Sequence, residues 1–305
     1  MFATHRRLTM YDSPRRRGAT CDETGRSCSP VRLAIVRCAD AARCALAADS
    51  PLTEWERTVA RSIAHPRRRD EWVAGRIAAK WLFLEGMEWT MSECRFTWPP
   101  PATVVVPDPQ EGISPASYRR VEIRRQVDGA PYLVCDDVAA DVLTAARVSI
   151  AHCGGWAVAA LSLAGAVGVD LEDTGPHGRG FYESNMTDRE RRWMMGAPEG
   201  NADRIGTLLW VLKEAVLKTG ESPARTIWEM SAIDIDVATP AAEIADTWPL
   251  DDAGGAPSLV TLPVRVALTR ASRSFTHAAY GAIGQLALGV VAVTSFELDR
   301  APAAP

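Results

Sequence analysis

Apolar and polar positions along the 305-residue chain change period from one stretch to the next, and each change predicts an element. A short apolar run from Val31 to Val36 predicts a strand, and Pro51-Leu-Thr-Glu-Trp-Glu-Arg opens a helix. A second helix is predicted from Arg69 to Gly86. In it Trp72, Ile77, Ala79, Trp81 and Leu84 alternate with Arg76 and Lys80, which stand four apart and so form a basic stripe on one face. The imperfect alternation from Val121 to Val127, the turn pair Asp128-Gly129 and the run from Pro131 to Cys135 predict a hairpin. The proline-rich stretch between Met91 and Ser117 reads as a loop. A new set of strands begins at Val148. The apolar stretches Trp156–Val169 and Ala278–Val293 are broken by glycine and shorter than the roughly 20 residues a membrane-spanning helix needs, so both read as buried strands. Thr207 to Lys218 is a helix with Leu208, Leu209, Leu212, Ala215 and Val216 at helical spacing and Gly220 as its terminator.

These elements divide the chain into a leader at 1–30 without apolar periodicity, an N-terminal half at 31–147, a C-terminal half at 148–297 and a small-residue tail at 298–305. A content of 47% hydrophobic and 24% charged residues is that of a chain with a packed core. The formal net charge of −4 excludes nucleic-acid binding by bulk charge. The leader has no apolar core of a secretory signal, and seven cysteines without a C-x-x-C pair signal neither a disulfide framework nor a zinc site; a cytoplasmic protein with reduced thiols follows. Lys80, Lys213 and Lys218 are the three lysines among 34 Lys and Arg residues. In so arginine-rich a chain, they are candidates for positions that need a compact ammonium.

Val167-Gly-Val-Asp-Leu-Glu172 alternates as a strand end does, which puts Asp170 and Glu172 on one face. Hard oxygens at this spacing suit Mg²⁺, although Asp-x-Glu by itself is more often merely solvated. On the 207–218 helix, Glu214 and Lys218 share a face. The bland alternative is a surface i,i+4 pair, but a helix this apolar is largely buried, and burying Lys213, Glu214 and Lys218 without partners would be costly.

The ordered pair Gly168-Val-Asp-Leu-Glu172 and Trp210-Val-Leu-Lys-Glu-Ala-Val-Leu-Lys218 resembles the signature of the 4'-phosphopantetheinyl transferase superfamily. Val148-Ser-Ile-Ala-His-Cys-Gly-Gly-Trp resembles the histidine strand of its larger, two-halved members, and Ala74-Gly-Arg-Ile-Ala-Ala-Lys80 their N-terminal basic helix. The resemblance implies an α+β fold of two similar halves, each a small antiparallel sheet packed with helices, with the active site in the cleft between them. It implies a monomer that moves the phosphopantetheine arm of coenzyme A onto a serine of an acidic apo carrier protein, with Mg²⁺ as cofactor. Asp170, Glu172 and Glu214 match the metal ligands, which must converge on one ion, and Glu214 is also a candidate base. Lys213 and Lys218 match lysines near the phosphates, and His152 matches the histidine at the cofactor's phosphate end. Arg57 and Arg125 fall near positions that hold the nucleotide, with Arg76 and Lys80 as further partners for its 3'-phosphate.

The chain departs from the family pattern at Ala130, where relatives often carry lysine, at Ala151 and Cys153, where serine is typical, and after Gly220. Arg189, Arg191 and Arg192, behind the capping-box pattern Thr187-Asp-Arg-Glu190, suit an acidic carrier helix, against the commoner outcome of a solvated charged face. Two rival readings stay open: a catalytically impaired module of the same fold that binds coenzyme A or carrier, and an Mg²⁺-dependent phosphodiester hydrolase.

Overall fold

A computed structural model describes residues 31–46, 49–91, 104–105, 114–248 except 164, 223, 225 and 238, and 258–292 except 263, 269, 270, 276 and 284. The leader, the tail and most of the proline-rich stretch lie outside the described residues.

Strand β1 (Arg32–Arg37) is followed by helices α1 (Cys38–Leu46), α2 (Glu54–Ser62) and α3 (Pro66–Met91). Then come β2 (Val104–Val105), α4 (Pro115–Arg120), the hairpin β3 (Glu122–Arg125) and β4 (Pro131–Val134), α5 (Ala140–Ala145), and the hairpin β5 (Arg147–Cys153) and β6 (Trp156–Ser162). The order continues with β7 (Val167–Asp173), α6 (Arg179–Asn185), α7 (Asp188–Met194), α8 (Ala202–Lys218), a 3-10 segment at Ile227–Ala232, β8 (Ile233–Val237) and α9 (Ala241–Thr247). It closes with β9 (Ser258–Leu262), β10 (Val264–Leu268), β11 (Ala271–Phe275), β12 (His277–Ile283) and β13 (Leu286–Ala292). The two apolar, glycine-broken stretches thus form strands, as their pattern predicts, and most of the side chains described in them are buried. No helix among the described residues is long and apolar enough to cross a membrane.

This mixture of helices and small, mainly antiparallel sheets is an α+β fold. One sheet runs β2-β1-β6-β5, with β2 parallel to β1, and another runs β7-β13-β12-β9. Although β5 and β6 lie, but for Arg147, in the half expected to begin at residue 148, they complete the sheet that β1 begins. Side chains alternate across each strand, so each sheet has two apolar faces to cover. Leu33 and Ile35, Val158 and Ala160, Val167, Val169 and Leu171, and Leu286, Leu288 and Val290 meet in a core between the two sheets. The opposite face of the first sheet packs against Val73, Ala74, Ile77, Ala78 and Leu82 of α3. That of the second packs against Leu208, Val211, Leu212 and Ala215 of α8. Ser149 on β5 ties the layers, its Oγ accepting the Val169 backbone N–H at 3.1 Å.

Two buried polar hubs hold the helices in register, and they repeat one another. In the first, the N-cap Thr53 and Glu56 of α2 form a capping box, and the Glu56 carboxylate also accepts the Ile123 N–H at 3.0 Å and pairs with Lys80 of α3, which further donates to the Pro51 carbonyl at 3.2 Å. In the second, Thr187 and Glu190 of α7 form the box, and Glu190 accepts the Ile235 N–H at 2.7 Å and pairs with Lys213 of α8 at 2.7 Å. The Thr hydroxyls donate to Glu122 at 2.7 Å and Asp234 at 2.9 Å, each one residue before the isoleucine concerned. Both lysines and both glutamates are out of solvent.

The hubs correct two expectations. Lys80 does not reach toward a nucleotide phosphate but is buried against Glu56 and the Pro51 carbonyl, and Lys213 does not reach toward a phosphate either: its ammonium meets Glu190 and the carbonyls of Asn185, Met230 and Ile233, at 2.8, 3.0 and 2.8 Å, more acceptors than its three protons can serve. A buried ammonium stays charged only where partners replace its lost water; burial lowers the pKa of both lysines and the paired glutamate opposes it.

Removing one partner of such a pair strands a buried charge, so Lys213→Met should cost roughly 3–5 kcal/mol in urea unfolding. Lys213→Arg should not rescue it, because a planar guanidinium cannot address acceptors placed around a tetrahedral ammonium.

Candidate active site

The helix carrying Glu214 and Lys218 lies in backbone contact with the strand carrying Asp170 and Glu172. A Cβ at Gly168 would stand 1.7 Å from the Ala215 carbonyl oxygen, and one at Gly289, across the ladder from Asp170, 2.9 Å from the Val211 carbonyl carbon. Glycine is required at Gly168, and it sets how far α8 sinks onto the sheet.

At this approach Lys218 donates to Asp170 Oδ1 at 2.6 Å. Asp170 is 4% exposed, and its Oδ2 is buried without a hydrogen-bond partner. Glu172, two residues on, accepts from the Cys153 thiol at 3.8 Å. Burial, then Asp170 and Glu172, pushes the Glu214 carboxyl up to about 7 against the opposing pull of Lys218. Burial, then Asp170, raises Glu172 as well. Three carboxylates therefore crowd around one lysine.

On the other side, adjacent residues of β5 point opposite ways. Cys153, its thiol pushed up to about 11 by burial first and Glu172 next, is a neutral donor toward β7. His152 faces α3, with Nδ1 3.4 Å from Glu71 Oε2. Burial lowers the His152 pKa, Lys218 and Arg76 add to the effect and Glu71 opposes it, so His152 lies between the α3 face and the Lys218 end of the site. A cavity lined by Cys38, Ala39, Arg67, Asp70, Glu71, Gly154 and Gly155 opens beside that pair.

Arg76 is 3% exposed and stacks 3.8 Å over the Trp72 ring, with its Nε unpartnered. Burial, then repulsion from Arg125, lowers its pKa to about 9, so it is charged at neutral pH and beside a second cation. Arg125 is exposed at the foot of the predicted hairpin turn, and Arg57 is half-buried on α2. The basic face expected behind Thr187 is largely consumed: Arg189 pairs with Asp234 and Asp236 at 3.1 and 3.2 Å, and Arg191 donates to the Met186 carbonyl at 2.6 Å and pairs with Asp188. Arg192 is exposed.

The donor set suits a hard divalent cation: carboxylate oxygens only, one buried oxygen without a partner, and more negative charge than Lys218 offsets. The side chains are not closed around a point, however; among the described residues no three His, Cys, Asp or Glu side chains stand close enough to hold an ion. The convergence of Asp170, Glu172 and Glu214 on one ion is therefore not present at liganding distance.

Against known families, residues 166–248 match the model of the 4'-phosphopantetheinyl transferase superfamily. The match contains Asp170, Glu172, Glu214 and Lys218 and supports phosphopantetheine transfer in general; it does not extend to His152 or α3. No curated protein matches the chain.

The raised Glu214 makes stability fall with alkalinity. Its folded-state pKa, about 7, lies above the ordinary 4.5, so its contribution is complete below about 4.5 and is lost as pH rises toward 7. Thermal unfolding in chelator should show a falling midpoint from pH 5 to 8. Glu214→Gln should flatten that fall and exceed the wild type at pH 8; parallel profiles would remove Glu214 as its source.

Proposed function

We propose that the chain transfers 4'-phosphopantetheine from coenzyme A to the serine hydroxyl of an apo carrier protein, releasing adenosine 3',5'-bisphosphate, with Mg²⁺ at Asp170, Glu172 and Glu214. The observation that carries this reading is the buried Asp170, held by Lys218 on one oxygen and unpartnered on the other, next to two carboxylates of raised pKa. Bound there, Mg²⁺ would neutralise pyrophosphate charge.

In the transfer, a bond forms between the serine oxygen and the β-phosphorus, and the bond from that phosphorus to the bridging oxygen of the leaving nucleotide breaks. Glu214 is suited to take the serine proton directly or through a water. Lys218 would stabilise developing charge on the phosphoryl oxygens. His152 meets the phosphate end of the cofactor, and Arg76 and Arg125, a buried and an exposed cation side by side, suit its 3'-phosphate. Lys80 and Lys213 are left with the structural work described above.

The repeated hubs support a two-halved architecture, with β1 to β6 as one half and β7 to β13 as the other, so the division falls after β6 rather than at residue 147. In this reading the chain acts as a cytoplasmic monomer, and the acidic carrier is met by Arg192 rather than by three arginines.

Incubation with coenzyme A, Mg²⁺ and several apo carrier proteins should add a phosphopantetheine mass to a carrier serine. Nucleotide release without that mass points instead to hydrolysis, and binding without either to an impaired module. Glu214→Gln should nearly abolish transfer while the protein stays folded, and Arg76→Ala should weaken coenzyme A binding by roughly tenfold or more, the worth of one charge-assisted phosphate contact.

A further inference from the structure

We propose that Glu71 is a positioning residue that fixes the His152 ring so that Nε2 faces the phosphate end of coenzyme A; the proposal rests on the transferase reading above. No motif points to Glu71, which sits between Asp70 and Trp72 near the start of α3.

Its carboxylate is 9% exposed and divided between two partners: Oε1 accepts from Arg67 Nε at 3.0 Å, and Oε2 stands 3.4 Å from His152 Nδ1. The Arg67 contact does not account for a buried carboxylate here. Arg67 is 66% exposed, so the pair is screened by water, and a cation one turn N-terminal to an acid is the less favourable order along a helix. What the burial provides is a fixed acceptor behind the imidazole. A carboxylate facing Nδ1 selects the form with a proton on that nitrogen and leaves Nε2 as the free atom, in the way an outer carboxylate orients a working histidine. The His152 side chain is 42% exposed, so that free edge is open to a ligand. Gly154 and Gly155 turn the chain directly after β5, both at positive φ (58° and 84°), which keeps the strand end and its histidine against α3.

The test uses the full-length chain. Proton-detected nitrogen NMR of the imidazoles should show His152 carrying its proton on Nδ1 in the wild type and a mixture of tautomers in Glu71→Ala. Calorimetric titration of coenzyme A with Mg²⁺ should show Glu71→Gln and Glu71→Ala weakening binding roughly tenfold, as for one charge-assisted hydrogen bond, with kcat at saturating coenzyme A little changed. Glu71→Ala should add nothing in a His152→Ala background, because a residue acting through another has no effect once that other is gone. Thermal unfolding of Glu71→Gln, which keeps the side chain's shape, separates these effects from a general loss of fold. Additive losses in the double variant, or unchanged tautomer and affinity in Glu71→Ala, would overturn the positioning role while leaving the transferase reading intact. A wild type that binds no coenzyme A would overturn both.

Discussion

The depth at which α8 rests on β7 decides everything at the site. Because Gly168 has no side chain, the helix backbone at Ala215 reaches the strand backbone, and Gly289 on the neighbouring strand admits it at Val211. A methyl group at either position would lift the helix, and with it the carboxylate of Glu214 and the ammonium of Lys218. The 2.6 Å contact between Lys218 and Asp170 measures that seating. The rotation of the helix is fixed separately, by Lys213, whose saturated ammonium pins one side of α8 to Glu190 and three carbonyls. With one side locked, the next residue, Glu214, and the one a turn later, Lys218, face the strand.

The lysines show how charge type is allotted. In a chain where arginine supplies almost all positive charge, lysine stands twice where a small ammonium must satisfy acceptors from several directions in a closed space, in the hubs, and once, partly exposed, against the single acceptor Asp170. The scarcity of lysine in the sequence therefore carried real information. The purpose it serves is internal at Lys80 and Lys213, since the glutamates that claim them, Glu56 and Glu190, are far away along the chain and are marked only as the fourth residues of capping boxes.

The same contrast holds for the fold. Local patterns located the long helices, the Asp128-Gly129 hairpin and the buried strands, because each depends on spacing within a dozen residues. What local pattern does not encode is which strand pairs with which. β5 and β6 join β1 from more than a hundred residues away, a pairing decided by burial on both faces rather than by any feature of residue 147. At the site, the carboxylates and Lys218 were legible because motif spacing places them on faces that meet. Glu71 was not, because its partner His152 is brought to it by sheet order alone. Burial of both Arg76 and Lys80 was illegible for a related reason: helical spacing says that two side chains share a face, not whether that face meets water.

The repeat of the two hubs also sets the end of α3 against the end of α8. Setting Lys80 against Lys213 places Trp81 where α8 carries Glu214, and Glu85 where it carries Lys218. In the first half that end is closed: Trp81 is buried in the core, and Glu85 pairs at 3.3 Å with Arg32 on β1, the reverse in sign of Lys218 with Asp170 on β7. There a ring and an ion pair stand where α8 and β7 carry a carboxylate and Lys218, so no cluster of carboxylates forms at that end among the described residues. In the second half a carboxylate takes the ring's place, beside two others and only one cation, with a buried oxygen left without a partner. Such an arrangement costs stability in the free protein, because neighbouring carboxylates repel one another and a buried oxygen has lost its water without gaining a donor.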